Sequence, residues 1–233
     1  MVALRSVLMF LVLGILVLPA ESLSGNITGK INYTGPKVSA TPIKMNADPK
    51  CLSMHSGKDV APEQVVVNPN NTLRYVFVYV KKGLEGKKFP TPSTKVSIDQ
   101  LGCMYHPHVF GIMTHQQLEI TNSDGTLHNI HALPVNNPQF NIAQPNKGMK
   151  FTKSFDKPEV MVKVKCEVHN WMAAYIGVLD HPFFAVSDDK GNFEIKNLPP
   201  GEYELEAWQE KFGTKTLKVT VGASDTKTAD FTY

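Results

Sequence analysis

Val160-Met161-Val162-Lys163-Val164-Lys165-Cys166-Glu167-Val168-His169-Asn170-Trp171-Met172 is the stretch whose reading decides the fold. Its first half alternates, with Val160, Val162, Val164 and Cys166 separated by Met161, Lys163 and Lys165. Side chains of a β-strand point to opposite faces in turn, so these four share one face. That face is apolar, and Cys166 points into a core. His169 and Met172 follow Cys166 at steps of three. They reach the same centre only if the chain curls back on a short loop, so the strand is expected to end in one.

Outward from this stretch the chain reads as all-β. Leu118 and Ile120 alternate with polar residues, and Tyr75 to Val80 is apolar on both faces, as a buried strand is. Phe193/Ile195, Tyr203/Leu205/Ala207 and Leu217/Val219/Val221 follow the same period. Gly, Pro, Asn and Asp punctuate these runs, notably at Asp188-Asp189-Lys190-Gly191-Asn192 and Leu198-Pro199-Pro200-Gly201. No long window carries a helical period. Sandwiches or Greek-key barrels are the expected architecture. Three regions separate: 25–94, with a polar stretch around Cys51; 95–180, rich in His and Cys; and 182–233, a β-meander.

The 233 residues are 42% apolar and 19% charged, with a formal net charge of +3. That composition is globular, and it lacks the basic excess of a nucleic-acid binder. The start differs in kind. Met1 to Arg5 is short and positive, Ser6 to Leu18 is uncharged and mostly apolar, and Leu18-Pro19-Ala20-Glu21-Ser22 offers small cleavage positions. Residues 1–22 thus read as a secretory signal peptide, which implies a periplasmic or otherwise secreted protein with no membrane span after cleavage.

The chemistry concentrates in the middle region. Cys166, His169 and Met172 offer thiolate, imidazole and thioether, and Leu127-His128-Asn129-Ile130-His131 offers a further imidazole after a Ser123-Asp124-Gly125 turn. Two imidazoles and a thiolate with a weak axial thioether are the donor set of a blue-copper site. Residues 95–180 resemble the cupredoxins, and the Cys-x-x-His-x-x-Met spacing resembles the short amicyanin-type loop rather than the longer plastocyanin one. The resemblance implies a Greek-key β-barrel or sandwich holding one type 1 copper ion. It implies His128, Cys166, His169 and Met172 as ligands. Asn129 would tether the loop and hydrogen-bond the Cys sulfur. Docking is expected through an apolar patch near an exposed His169 edge, and Trp171 is expected either to form part of that patch or to pack structurally over the loop.

Residues 182–233 resemble the carboxypeptidase regulatory-like, transthyretin-like β-sandwich. The match runs from Phe184-Ala185-Val186 through Gly191-x-Phe193-x-Ile195 and Leu198-Pro199-Pro200-Gly201-x-Tyr203 to Leu205-Glu206-Ala207-Trp208. The segment is short for that sandwich. Its missing strands are sought in Ile27–Ile31 and Tyr75–Val80, which would leave the copper region inserted in a split sandwich.

Three cysteines are present. With Cys166 on metal, Cys51 and Cys103 most simply form a disulfide. The alternative gives Cys103 to a second metal site with His106 and His108. The expected function is single-electron transfer between redox proteins, such as a cytochrome or a dehydrogenase, without enzymatic activity. The competing readings are a copper chaperone or sensor, an enzyme using copper at His106/His108, and a metal-free adhesion or sugar-binding sandwich.

Overall fold

The computed structural model describes residues 24–233, so the signal-peptide reading of 1–22 lies outside the described residues. The described chain is almost wholly β, with one six-residue helix, Pro49–Met54. Among the described residues no helix is long and apolar enough to cross a membrane.

Two sheets enclose the core that holds the Cys166 loop. One runs in the order Phe140–Gln144, His128–Leu133, Glu159–Lys165, Ala173–Leu179, Val109–Met113. The other runs Lys150–Lys153, Leu118–Asn122, Val96–Leu101, Met104–His106. Ile98, Leu118, Ile120, Ile130, Val162, Val164 and Ile176 fill the space between them. Val162, Val164 and Cys166 share the buried face, as alternation requires. Val160 does not, because the pairing shifts register between Glu159 and Val162. Val160 and Met161 pack instead against the cluster of Phe77, Tyr79, Val109 and Leu179.

The second pair of sheets is assembled from both ends of the described chain. Gly25–Asn32 pairs antiparallel with Asn192–Leu198 and parallel with Thr226–Thr228 and Phe231–Thr232. Phe77–Lys82 lies between Phe184–Val186 and Gly201–Gln209, and Gly213–Val221 completes that sheet. Tyr75 has φ 63, a left-handed conformation, so the strand starts at Phe77. Val78 and Val80 face one core and Phe77 and Tyr79 another, which is why this strand is apolar on both faces. Residues 43–60 leave these sheets, and Met45 and Cys51 pack into the core around Cys166.

The two pairs of sheets meet through an aromatic seam. Gly111 and Gly177 sit side by side in register on neighbouring strands. A Cβ on Gly111 would lie 2.2 Å from the Phe184 ring, and one on Gly177 would lie 2.3 Å from the Phe77 ring. Phe77 and Phe184 stack at 5.6 Å over this flat place. Beside it His108 is buried with its Nε2 3.0 Å from Glu210, and Tyr175 donates to the same carboxylate at 2.9 Å. Gly177→Ala is expected to lower stability by about 1–3 kcal/mol, the usual cost of overpacking, in a urea titration. An unchanged midpoint would mean that the seam yields freely.

Candidate metal centre

Cys166 directly follows the strand Glu159–Lys165, and His128 opens the neighbouring strand His128–Leu133. The loop after Cys166 closes on itself: the Met172 N–H donates to His169 O at 2.9 Å and the Cys166 N–H to Met172 O at 3.3 Å. Asn129 ties it to the adjacent strand, its Oδ1 accepting from the Glu167 N–H at 2.7 Å and from the Cys166 thiol at 3.3 Å. Asn129 is held in turn by Asn141, at 2.6 Å.

His128, Cys166 and His169 present donor atoms within 4.8 Å of one another, all buried. The two Nδ1 atoms face each other at 3.0 Å, and Cys166 Sγ is 3.9 Å from His169 Nδ1. Two imidazole lone pairs at that separation repel unless a proton or another cation lies between them. Both Nε2 atoms are already occupied. His128 Nε2 meets Asp124 Oδ2 at 2.8 Å, and His169 Nε2 meets Asp48 Oδ2 at 3.0 Å. Each ring is thus fixed from behind with its Nδ1 turned inward, the pattern of metal-ligating histidines. Met172 is buried in the same core. One thiolate and two imidazoles converging in a buried core fit a copper ion.

The electrostatics favour a cation. Burial pushes the Cys166 thiol up, but hydrogen bonds to His128 and His169 outweigh it and bring the thiol down to about 6. Burial works against charge on His128 as well, yet Asp124 and Cys166 raise it to about 9. Asp124 is buried, but His128 and the amides of Cys103 and Gly102 hold its carboxyl below the usual carboxylate range. Hydrogen bonding to His169 lowers Asp48.

The environment of His169 corrects one expectation. Its edge is not exposed: the residue is 2% accessible. Asp48 covers it, Cys51 Sγ lies 3.4 Å from its Nε2, and the Trp171 ring is 5.1 Å away. Trp171 Nε1 donates to Cys103 O at 3.0 Å, so the indole packs over the loop without making a docking patch around an open imidazole.

Cys51 and Cys103 are joined in a disulfide. His106 and His108 do not come together with Cys103: His106 is exposed, and His108 is buried against Glu210 and Ala173 O. His131 pairs with Glu167 at 2.6 Å, away from the centre. Asp48 and Asp124 were not singled out by sequence. Asp124 reads as a turn residue, and Asp48 is signalled only by the Pro49 that follows it, the pairing of an N-cap with a first-turn proline.

Residues 175–233 match the family description of the carboxypeptidase regulatory-like domain. No curated protein matches the chain. Several solved structures are similar in part. The copper-containing nitrite reductase of Thermus scotoductus is 22% identical over 42% of this chain and 25% of its own, with a TM-score of 0.33. This chain therefore spans about a quarter of that enzyme's length. The purple cupredoxin of Nitrosopumilus maritimus is 25% identical over 35% of this chain and 97% of its own, with a TM-score of 0.31. A Met-to-Gln variant of amicyanin, in its Cu(I) form, is 14% identical over 36% and 81%, with a TM-score of 0.32.

Asp124→Asn is expected to destabilise the metal-free protein by about 1–3 kcal/mol at neutral pH, because it weakens three buried hydrogen bonds. A carboxyl lowered by folding adds stability above its unfolded pKa and loses it as pH falls through the folded one. The gap between variant and wild type should therefore close in acid. Urea titrations at several pH values check this, and a gap independent of pH would contradict it.

Proposed function

We propose that this chain is an exported electron carrier in which His128, Cys166 and His169, with Met172 as a weak fourth donor, hold one copper ion. The observation that carries the reading is the convergence of two Nδ1 atoms and one buried sulfur, with both Nε2 atoms taken by carboxylates. Copper bound there supplies a one-electron Cu(I)/Cu(II) couple, for which a mixed thiolate and imidazole set is suited.

The residues do the rest. Asn129 Oδ1 fixes the loop backbone by accepting from the Glu167 N–H, a bond independent of the charge on the sulfur, and the His169 N–H donates to the sulfur itself. Asp124 and Asp48 fix the tautomers and orientations of the two rings. Val164, Phe155, Ile176 and Met172 exclude water from one side, and the disulfide and Trp171 cover the other. A site held rigid and dry needs little rearrangement on electron exchange. The partners on this reading are redox proteins such as a cytochrome or dehydrogenase, and the chain itself is not an enzyme. The sequence of residues 1–22 supports export to the periplasm or beyond.

The cover over His169 favours a second reading, a chaperone or sensor that retains its metal. Two measurements separate these. Protein loaded with Cu(II) should show an intense visible thiolate-to-copper band that Cys166→Ala abolishes, and voltammetry should show a reversible one-electron wave. A well-folded, copper-loaded protein without the band would sink the electron-carrier reading. A band without a reversible wave would leave only retention.

A further inference from the structure

Helix Pro49–Met54 (α1) has six residues, too few to be stable alone. Asp48 caps it and faces two ways. Its Oδ1 accepts from the N–H groups of Lys50 at 2.9 Å and Cys51 at 3.4 Å, while Oδ2 reaches His169 Nε2 at 3.0 Å. The cap geometry therefore aims the carboxylate at the ring. Across the bridge the same arrangement recurs. The Cys103 N–H donates to Asp124 Oδ2 at 2.7 Å and the Gly102 N–H to Oδ1 at 2.8 Å, and Oδ2 also meets His128 Nε2 at 2.8 Å. Each half-cystine thus holds, through its own amide, the carboxylate that sits behind one of the two imidazoles. Cys51, Cys103 and Asp124 are buried and Asp48 is partly exposed, and the disulfide joins the two halves.

We propose that Asp48–Cys51–Cys103–Asp124 is a single positioning unit, in which one cross-link sets the orientation of both imidazoles and places a negative charge behind each. This rests on the copper reading above and adds a control of the same site. Negative charge on both far nitrogens makes the rings stronger donors and favours the more highly charged metal state. Asp48 and Asp124 act through His169 and His128 and are positioning residues.

Asp48→Asn separates the charge from the cap, because Asn also caps helices and retains an acceptor for Lys50 and Cys51. In copper-loaded protein the variant is expected to shift the Cu(II)/Cu(I) balance at least tenfold toward Cu(I), a rise of about 59 mV in a one-electron couple. Replacing both Cys51 and Cys103 by Ser should broaden the copper resonance and speed copper loss to a chelator. Adding Asp48→Asn to that pair should then move the potential less than it does in the intact protein, since coupled groups are not additive. A readout on metal-free protein stands apart from copper. Ring resonances of His128 and His169 should each report one fixed ring orientation in the wild type and averaged states in the Ser pair. Unchanged resonances in a folded Ser pair, or full additivity of the potentials, would overturn the positioning unit. Absence of the visible band from wild-type protein, with the ring orientations still fixed by the bridge, would count against the copper reading alone.

Discussion

A thiol and two imidazoles held within 4.8 Å of one another, out of water, are the constraint around which this half of the molecule is built. Such a cluster carries charge whether it binds protons or metal, and buried charge is tolerated only when paired and hydrogen-bonded. The surroundings answer that need atom by atom. Backbone amides of Asn129 and His169 serve the sulfur, Asp124 serves His128 and Asp48 serves His169. Tyr105 secures the backbone beneath, donating to Asn129 O at 2.6 Å. Remove the cluster and these polar groups would have no reason to be inside.

How much of this could be read from sequence follows from the range over which each interaction acts. Strand alternation is local, so the inward aim of Cys166 was legible from Val162 and Val164. Val160 was misjudged because a register shift is a property of the partner strand, not of the run itself. The step-of-three spacing after Cys166 encoded the loop, whereas Asn129 as its tether was available only through the cupredoxin resemblance. The lid was not legible. Helix α1 is too short to show a 3.6-residue period, and Asp48 stands 121 positions from the histidine it covers. The exposure of His169 is decided by that remote segment, which is why loop spacing alone suggested an open edge. The pairing of Cys51 with Cys103 followed from counting thiols, whereas its position against His169 did not.

The contact between the two pairs of sheets differs from a flexible tether. Gly111 and Gly177 remove side chains so that Phe77 and Phe184 can lie flat on the neighbouring sheet, and interiors packed at such density shift little. Next to them Glu210 meets His108 and Tyr175, and Glu63 accepts from Tyr75 at 2.9 Å. Hydrogen bonding to His108 keeps the buried Glu210 below the usual carboxylate range despite its desolvation. An apolar seam with a polar network at its edge fixes both distance and rotation. The second pair of sheets is therefore a rigid mount for the first.

The pairing of Gly25–Asn32 with strands near Thr226 and Phe231 has a consequence in time. Asn26 and Thr226 are neighbours in space but 200 positions apart along the chain. A chain that emerges from one end presents its first strand long before the edge that receives it exists. The core around Cys166, whose strands lie between those two partners, can collapse while the outer sheets wait. Long-range closure of this kind is slow, because the loop must be paid for in entropy before any contact rewards it. An inner unit that closed first would shorten that loop, and the sheets around Cys166 would then be the template on which their own mount is completed.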